Sequence, residues 1–101
     1  MEKDPQIIDL LNWLHERLGD QFAITDHWEG DLRAIGISAS EDPTQLVYIL
    51  SHECPTGSYA LQLESAPRPG SKMAYQDAGK FDSVSREELL AIVTQHLRIA
   101  E

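Results

Sequence analysis

Four short apolar runs follow one another between residues 21 and 65, and the short connections between them constrain the fold more than any other feature. The runs are QFAITDHW, LRAIGISA, QLVYILSH and GSYALQLES, at 21–28, 32–39, 45–52 and 57–65. Their β-branched and aromatic residues, with turn-forming residues between the runs, are typical of strands. Connections of three to five residues are too short for a crossover helix, so consecutive strands are predicted to pair antiparallel as a meander.

Amphipathic helical patterns flank these strands. The first covers residues 4–18, with Asp4 suited to the N-cap and Gly19 to the C-terminal stop. Its predicted buried stripe is Ile7, Leu10, Leu11, Leu14 and Leu18. The second helix is predicted to begin after Ser85, because Ser85 and Glu88 have the spacing of a capping box. Its predicted buried stripe is Leu89, Ile92, Val93, Leu97 and Ala100.

This order of elements predicts one α+β domain over residues 1–101, since a chain of 101 residues is about one domain long. We expect a two-layer sandwich in which both helices pack on one face of a four- to five-stranded antiparallel meander sheet. A fifth, short edge strand is expected within residues 72–82, through Met73 and Tyr75, and broken near Gly79. The opposite face of the sheet is expected to be polar and solvated.

The charge is unevenly distributed along the chain. The net charge is −9, and residues 18–67 hold eight acidic residues against one basic residue, Arg33. Nucleic-acid binding usually requires clustered Lys and Arg, so this balance argues against it. A solubility role explains the acidity most simply. The sharper hypothesis is an acidic face that steers a basic protein partner.

Several classes of location and chemistry lack support in the sequence. No apolar run approaches the roughly 20 residues that cross a bilayer, and the start, MEKDPQ, resembles neither a signal nor a transit peptide. One cysteine cannot form an internal disulfide, so a cytoplasmic location is expected. No glycine-rich phosphate loop or nucleophile elbow is present, and no cofactor and no membrane partner is expected.

The stretch SHECPTG, at residues 51–57, places His52 and Cys54 two residues apart. On a strand these side chains would project to the same side and could bind a metal, but a structural zinc site needs four ligands. Cys54 is a poor candidate nucleophile, because the neighbouring Glu53 would raise its pKa. We therefore predict a hairpin loop, with residues 47–51 paired to residues 59–63.

The second cluster is DHWEGD, at residues 26–31, and it is the predicted binding site. Its spacing fits no EF-hand loop. It is an acidic hairpin turn with its tryptophan packed at the sheet edge, or else a protein-recognition patch, since an aromatic anchor among acids is typical of interfaces. The predicted patch consists of Asp26, His27, Trp28, Glu29 and Asp31.

Isolated histidines are weaker candidates. His96 lies within the apolar stripe of the second helix, where we expect a buried, neutral ring with one hydrogen-bond partner. His15 lies beside the stripe of the first helix, and no functional role is expected for it.

Three functional hypotheses remain open. The preferred one is a small acidic, non-enzymatic protein-binding domain that neutralises or chaperones a basic partner, as immunity-type and secretion-chaperone-like proteins do. It depends on the acidic surplus, on the aromatic residues Trp28, Tyr48 and Tyr59, and on the lack of catalytic, cofactor-binding or metal-binding motifs. The alternatives are a small metal-dependent or hydrolytic enzyme that uses His27, His52 and nearby acids, and a homodimer that buries the open sheet face. The chain is thus expected to be a monomer or a homodimer.

Overall fold

The structure, a computed structural model, describes residues 3–25, 32–51, 57–66, 69–70, 72 and 76–100. It confirms the predicted α+β architecture, with two helices and one antiparallel sheet of five strands in the order β1-β2-β3-β4-β5. The elements are α1 (Pro5–Leu18), a 3₁₀ turn (Gly19–Gln21), β1 (Phe22–Ile24), β2 (Ala34–Ala39), β3 (Leu46–Leu50), β4 (Ser58–Ser65), β5 (Gln76–Ser85) and α2 (Arg86–Leu97).

The first helix begins and ends where the sequence predicts. Asp4 is the N-cap, and its Oδ1 accepts a hydrogen bond from the backbone N–H of Gln6 at 3.1 Å. The chain leaves the helix at Gly19, where φ is +61°, a value that glycine adopts without steric cost. All five residues of the predicted stripe are buried.

The second helix begins with the predicted capping box. The Oγ of Ser85 accepts from the N–H of Glu88, and Oε1 of Glu88 accepts from the N–H of Ser85, each at 3.2 Å. Leu89, Val93 and Leu97 are buried, and Ile92 is partly buried against the core. The prediction for Ala100 is wrong, because the helix ends at Leu97 and Ala100 is exposed beyond it.

The strand register agrees with the sequence prediction for the β3–β4 hairpin. Val47 lies opposite Leu63 and Ile49 opposite Leu61, as the pairing of 47–51 with 59–63 requires. Alternate residues of these strands therefore face the helices. There they form one apolar core with α1 and α2. Fully burying a single Leu or Ile side chain contributes about 1.5–3 kcal/mol, so this layer supplies most of the stabilisation.

The opposite face of the sheet is not solvated at its centre, which corrects the sequence expectation. Leu46 is fully buried there, and Ala34, Ser38 and Tyr48 are also buried, although Ala34, Leu46 and Tyr48 do not belong to the core under the helices. The run LVYIL of β3 lacks polar–apolar alternation. A continuous apolar run of this kind is typical of a strand that is buried on both faces.

The fifth strand also differs from its prediction. Met73 and Tyr75 lie outside the described residues, but β5 passes through Gly79 without a break and continues to Ser85. Irregular register replaces the expected break: the pairing with β4 shifts near Gly79, whose φ is +141°, and again between Phe81 and Val84. β-Bulges of this kind let a long strand follow the sheet twist without losing its pairing.

Candidate functional site

The predicted patch of Asp26, His27, Trp28, Glu29 and Asp31 lies outside the described residues, but both of its flanks are defined. Ala34, Leu50 and Ala60 lie in adjacent strands at the end of the sheet where β2 begins and β3 finishes. We call this region, together with Ile24, Thr25, Leu32 and Arg33, the hairpin end.

Exposed apolar side chains distinguish the hairpin end. Three large apolar side chains are exposed in the part of the chain that the structure describes: Ile24 at 40%, Leu32 at 51% and Phe81 at 38%. Ile24 and Leu32 are the two that flank residues 26–31, one on each side. Apolar side chains beside acidic residues have the composition of a protein-recognition surface, where apolar contacts give affinity and charges give specificity.

Backbone hydrogen bonds hold both flanks of the patch. The N–H of Asp4 donates to the carbonyl of Leu32 at 2.7 Å, which ties the second flank to the start of α1. The N–H of Thr25 donates to the carbonyl of Gly36 at 2.8 Å, and the hydroxyls of Thr25 and Ser38 are 3.1 Å apart. The two points from which residues 26–31 depart are therefore positioned by the sheet and the first helix.

Two of the aromatic residues expected to contribute to an interface are buried instead. Tyr48 is 4% exposed and Tyr59 is 5% exposed. The ring of Tyr48 lies against Gly36, because a Cβ added at residue 36 would be 3.0 Å from it. Neither tyrosine can anchor a partner in this conformation, and Trp28 lies outside the described residues.

Tyr59 lines a groove of about 510 Å³ together with Gln6, Asp9, Gly57, Arg86 and Glu87. Burial raises the pKa of its hydroxyl above the ordinary value, and a hydrogen bond with Gln6 opposes that rise. Tyr59 therefore stays neutral at physiological pH and acts as a structural hydrogen-bonding group.

A second candidate site lies at the opposite end of the sheet, which we call the cleft end. The cleft has a volume of about 450 Å³. Three carboxylates, from Asp20, Glu41 and Asp42, line it together with Arg98. Its remaining lining is Gln21, Ala39, Ser40, Gln45, Leu97 and Ile99. The carboxylates come from two segments that Ser40 joins, because its Oγ donates to the carbonyl of Asp20 at 2.6 Å.

Gln21 fastens the C-terminal segment to the cleft end. Its Nε2 donates to the carbonyls of Leu18 and Ala100, and its Oε1 accepts from the N–H of Ala100 at 3.2 Å. This side chain bonds both backbone groups of Ala100, as a neighbouring strand would. No local sequence pattern predicts this contact, because 79 residues separate its partners.

The Asp42 carboxylate has a structural role in the turn before β3. Its Oδ1 accepts from the N–H of Thr44 at 3.1 Å and from the Thr44 hydroxyl. The hydroxyl bond first, then the backbone bond, and to a smaller extent the charge of Arg98, hold the pKa of Asp42 below its ordinary value. The acid is ionised at neutral pH, and much of its hydrogen-bonding capacity is used within the turn.

The histidines do not form a common site within the described residues. Nε2 of His96 lies 2.8 Å from the carbonyl of Glu64, so Nε2 carries the proton. The predicted single hydrogen-bond partner is thus present, although the ring is half-buried rather than buried. His15 packs on Phe22, with ring centroids 4.7 Å apart. His52 and Cys54 lie outside the described residues, within which no group of three potential metal ligands occurs.

Trp13 joins the two helices through cation–π contacts. The guanidinium carbons of Arg17 and Arg86 lie 5.2 Å and 4.9 Å from its ring centroid. The i, i+4 spacing of Trp13 and Arg17 could have predicted the first contact, but Arg86 comes from the other helix. The two contacts explain why a tryptophan beside the buried stripe is only half-exposed.

Comparison with known proteins gives no family assignment, since no family model, curated protein or solved structure was found to match this chain. Among the described residues, neither helix has the length and apolar character needed to cross a membrane.

Proposed function

We propose that this protein is a small, non-enzymatic binding domain that recognises a basic partner protein through its hairpin end. The recognition surface consists of Ile24, Leu32 and the acidic segment at 26–31. A neutralising role of the immunity type, or a secretion-chaperone-like role, fits a domain of this size and charge.

The observation that carries the proposal is the exposure of Ile24 and Leu32 on either side of the acidic, tryptophan-containing segment. Exposing large apolar side chains gains nothing for folding, and elsewhere in the described residues only Phe81 is comparably exposed. At an interface the same side chains would be desolvated, while the surrounding acids would attract a basic surface and accelerate association.

A capture experiment tests the proposal. The immobilised protein is incubated with lysate of its host at low and at high salt, and retained proteins are identified by mass spectrometry. We expect one basic partner that is retained at low salt and weakened at high salt, because salt screens exposed charges.

Matched variants assign the interaction to a surface. Leu32→Ser and Trp28→Ala should each abolish retention, whereas Phe81→Ser, at the third exposed apolar position, should not. Retention that survives both hairpin-end substitutions would refute this surface. If no specific partner is retained at either salt, the proposal fails and the enzymatic alternative with His27 and His52 is tested by metal analysis.

A further inference from the structure

The fifth strand presents a long edge. β5 has ten residues and, in the sheet that the structure describes, pairs only with β4. The opposite edge strand, β1, has only three residues. An edge strand leaves alternate backbone N–H and C=O groups without a ladder partner, and such a row can pair with another strand.

The side chains at the centre of this edge are complementary to their own copy. Lys80, Phe81 and Asp82 are consecutive and exposed, and Phe81 is one of the three large apolar side chains left exposed. In antiparallel self-pairing about Phe81, residue 80 of one strand faces residue 82 of the other. A lysine would then face an aspartate on each side of the symmetry axis.

The charges at this edge are available for such a contact. Neither Lys80 nor Asp82 makes an ion pair with another described residue. Lys80 lies opposite Gln62, and Asp82 follows Phe81 at the start of the register shift that ends at Val84. Gln62 is on the face away from the helices, so Lys80 lies on that side, while Phe81 lies opposite Leu61 on the helix side. Because successive strand residues alternate between the two faces, Asp82 is expected on the same side as Lys80.

We propose that the chain self-associates through antiparallel pairing of β5 with β5 of a second copy, centred on Phe81. Lys80 faces the partner's Asp82, Asp82 faces the partner's Lys80, and the two Phe81 rings meet beside the twofold axis. Cross-strand pairs of opposite charge and of aromatic residues both favour this register. This proposal concerns another surface from the hairpin end and does not depend on the proposed function.

The same geometry limits the strength of the dimer. The bulges of β5 lie near Gly79 and between Phe81 and Val84, and they confine regular pairing to a few residues. A contact of this size is smaller than a stable interface, so a dissociation constant on the order of 100 μM is expected.

Charge reversal tests the register. Sedimentation equilibrium from about 10 μM to 1 mM should show a concentration-dependent dimer. Lys80→Asp and Asp82→Lys should each raise the dissociation constant about tenfold, because each turns two attractive pairs into two repulsive ones. The double variant should restore association. The single variants change the net charge in opposite directions. An effect of net charge alone would therefore raise the dissociation constant of one variant and lower that of the other.

Crosslinking provides a second readout. In a Cys54→Ser background, Phe81→Cys places one cysteine beside the axis, where opposite Cα atoms about 4.5–5.5 Å apart permit a disulfide. Asp77→Cys is the control, since its two copies would be about 26 Å apart along the strands. Circular dichroism verifies that each variant is folded. A monomer at all concentrations, single variants that shift oppositely, or equal crosslinking at residues 77 and 81 would each overturn the proposal.

Discussion

The two ends of the sheet both carry acidic residues, but they use them differently. At the cleft end, Asp42 caps its own turn and the backbone of Asp20 anchors Ser40, so these acids lie in a hydrogen-bonded frame. At the hairpin end, the defined flanks of the acidic segment are exposed apolar side chains, Ile24 and Leu32. Acidity alone therefore does not distinguish the two ends of the sheet, whereas the exposed apolar side chains do.

The hairpin end depends on the close approach of β1 and β2 at Gly36, and breaking this approach should have the largest effect. A Cβ at residue 36 would lie 2.3 Å from the carbonyl oxygen of Thr25 and 3.0 Å from the ring of Tyr48. Gly36→Ala should therefore reduce the free energy of unfolding by about 2–4 kcal/mol, measured by urea denaturation.

The control for this variant is Gly70→Ala. Residue 70 has a φ of +83° and open space around its Cβ position, so only backbone strain of about 1 kcal/mol is expected. Equal losses for the two variants would show that the contact between Thr25 and Gly36 is not close.

The next prediction compares the acids of the two ends directly. Asp26→Lys combined with Glu29→Lys should weaken binding of the captured basic partner at least tenfold, because attraction becomes repulsion at the interface. Asp20→Lys combined with Glu41→Lys makes the same change in net charge at the cleft end and should alter the affinity less than threefold. Titration calorimetry at two salt concentrations measures both. An equal loss for both pairs would mean that net charge, and not the hairpin end, determines binding.

The sequence predicted local and periodic features of the fold well. Asp4, Gly19, Ser85 and Glu88 act within a few residues of themselves, and the register of β3 with β4 follows from the predicted hairpin connection and from the apolar alternation of β4. Predictions failed where distant segments decide the outcome. The bulged course of β5 past Gly79 depends on its pairing with β4. Tyr48 is buried against Gly36, and Tyr59 is buried in the core that the two helices cover.

The candidate site was less predictable for the same reason. The composition of DHWEGD suggested recognition, but an acidic turn gives the same composition. The exposure of Ile24 and Leu32 depends on the short β1 and on the contact between Asp4 and Leu32, neither of which has a local sequence signal. The lack of polar–apolar alternation in LVYIL could have predicted that both faces of β3 are buried, because such a run is typical of a strand covered on both faces.

At the cleft end, the attachment of the C-terminal segment should depend on Gln21. Gln21→Ala removes the hydrogen bonds to Leu18 and Ala100. Each net contribution is about 0.5–1.5 kcal/mol, but these groups are partly exposed to water, so the total loss should be about 1 kcal/mol. Hydrogen exchange should accelerate at Ile99 and Ala100 and remain unchanged at Asp4 and Thr25, whose N–H groups bond the carbonyls of Leu32 and Gly36. Acceleration at both ends would mean that the ends are not independent.

The smallest expected effect concerns the pKa of the Asp42 carboxylate. It tests whether the cleft end could compete with the hairpin end as a docking surface for a basic partner. Its pKa is lowered from the ordinary value of 3.8, first by the hydroxyl of Thr44. The ionised form therefore stabilises the turn above that pH, and this contribution disappears as the pH falls through the lowered pKa. Thr44→Ala should raise the pKa of Asp42 toward the ordinary value, as measured by carboxyl NMR titration.

The control is Thr94→Ala, which removes a hydroxyl bonded to the carbonyl of Ala91 on α2 and should leave the pKa of Asp42 unchanged. If Thr44→Ala also leaves it unchanged, the turn does not occupy the Asp42 carboxylate. The structural account of the acids at the cleft end then fails, and a basic partner could dock at either end of the sheet.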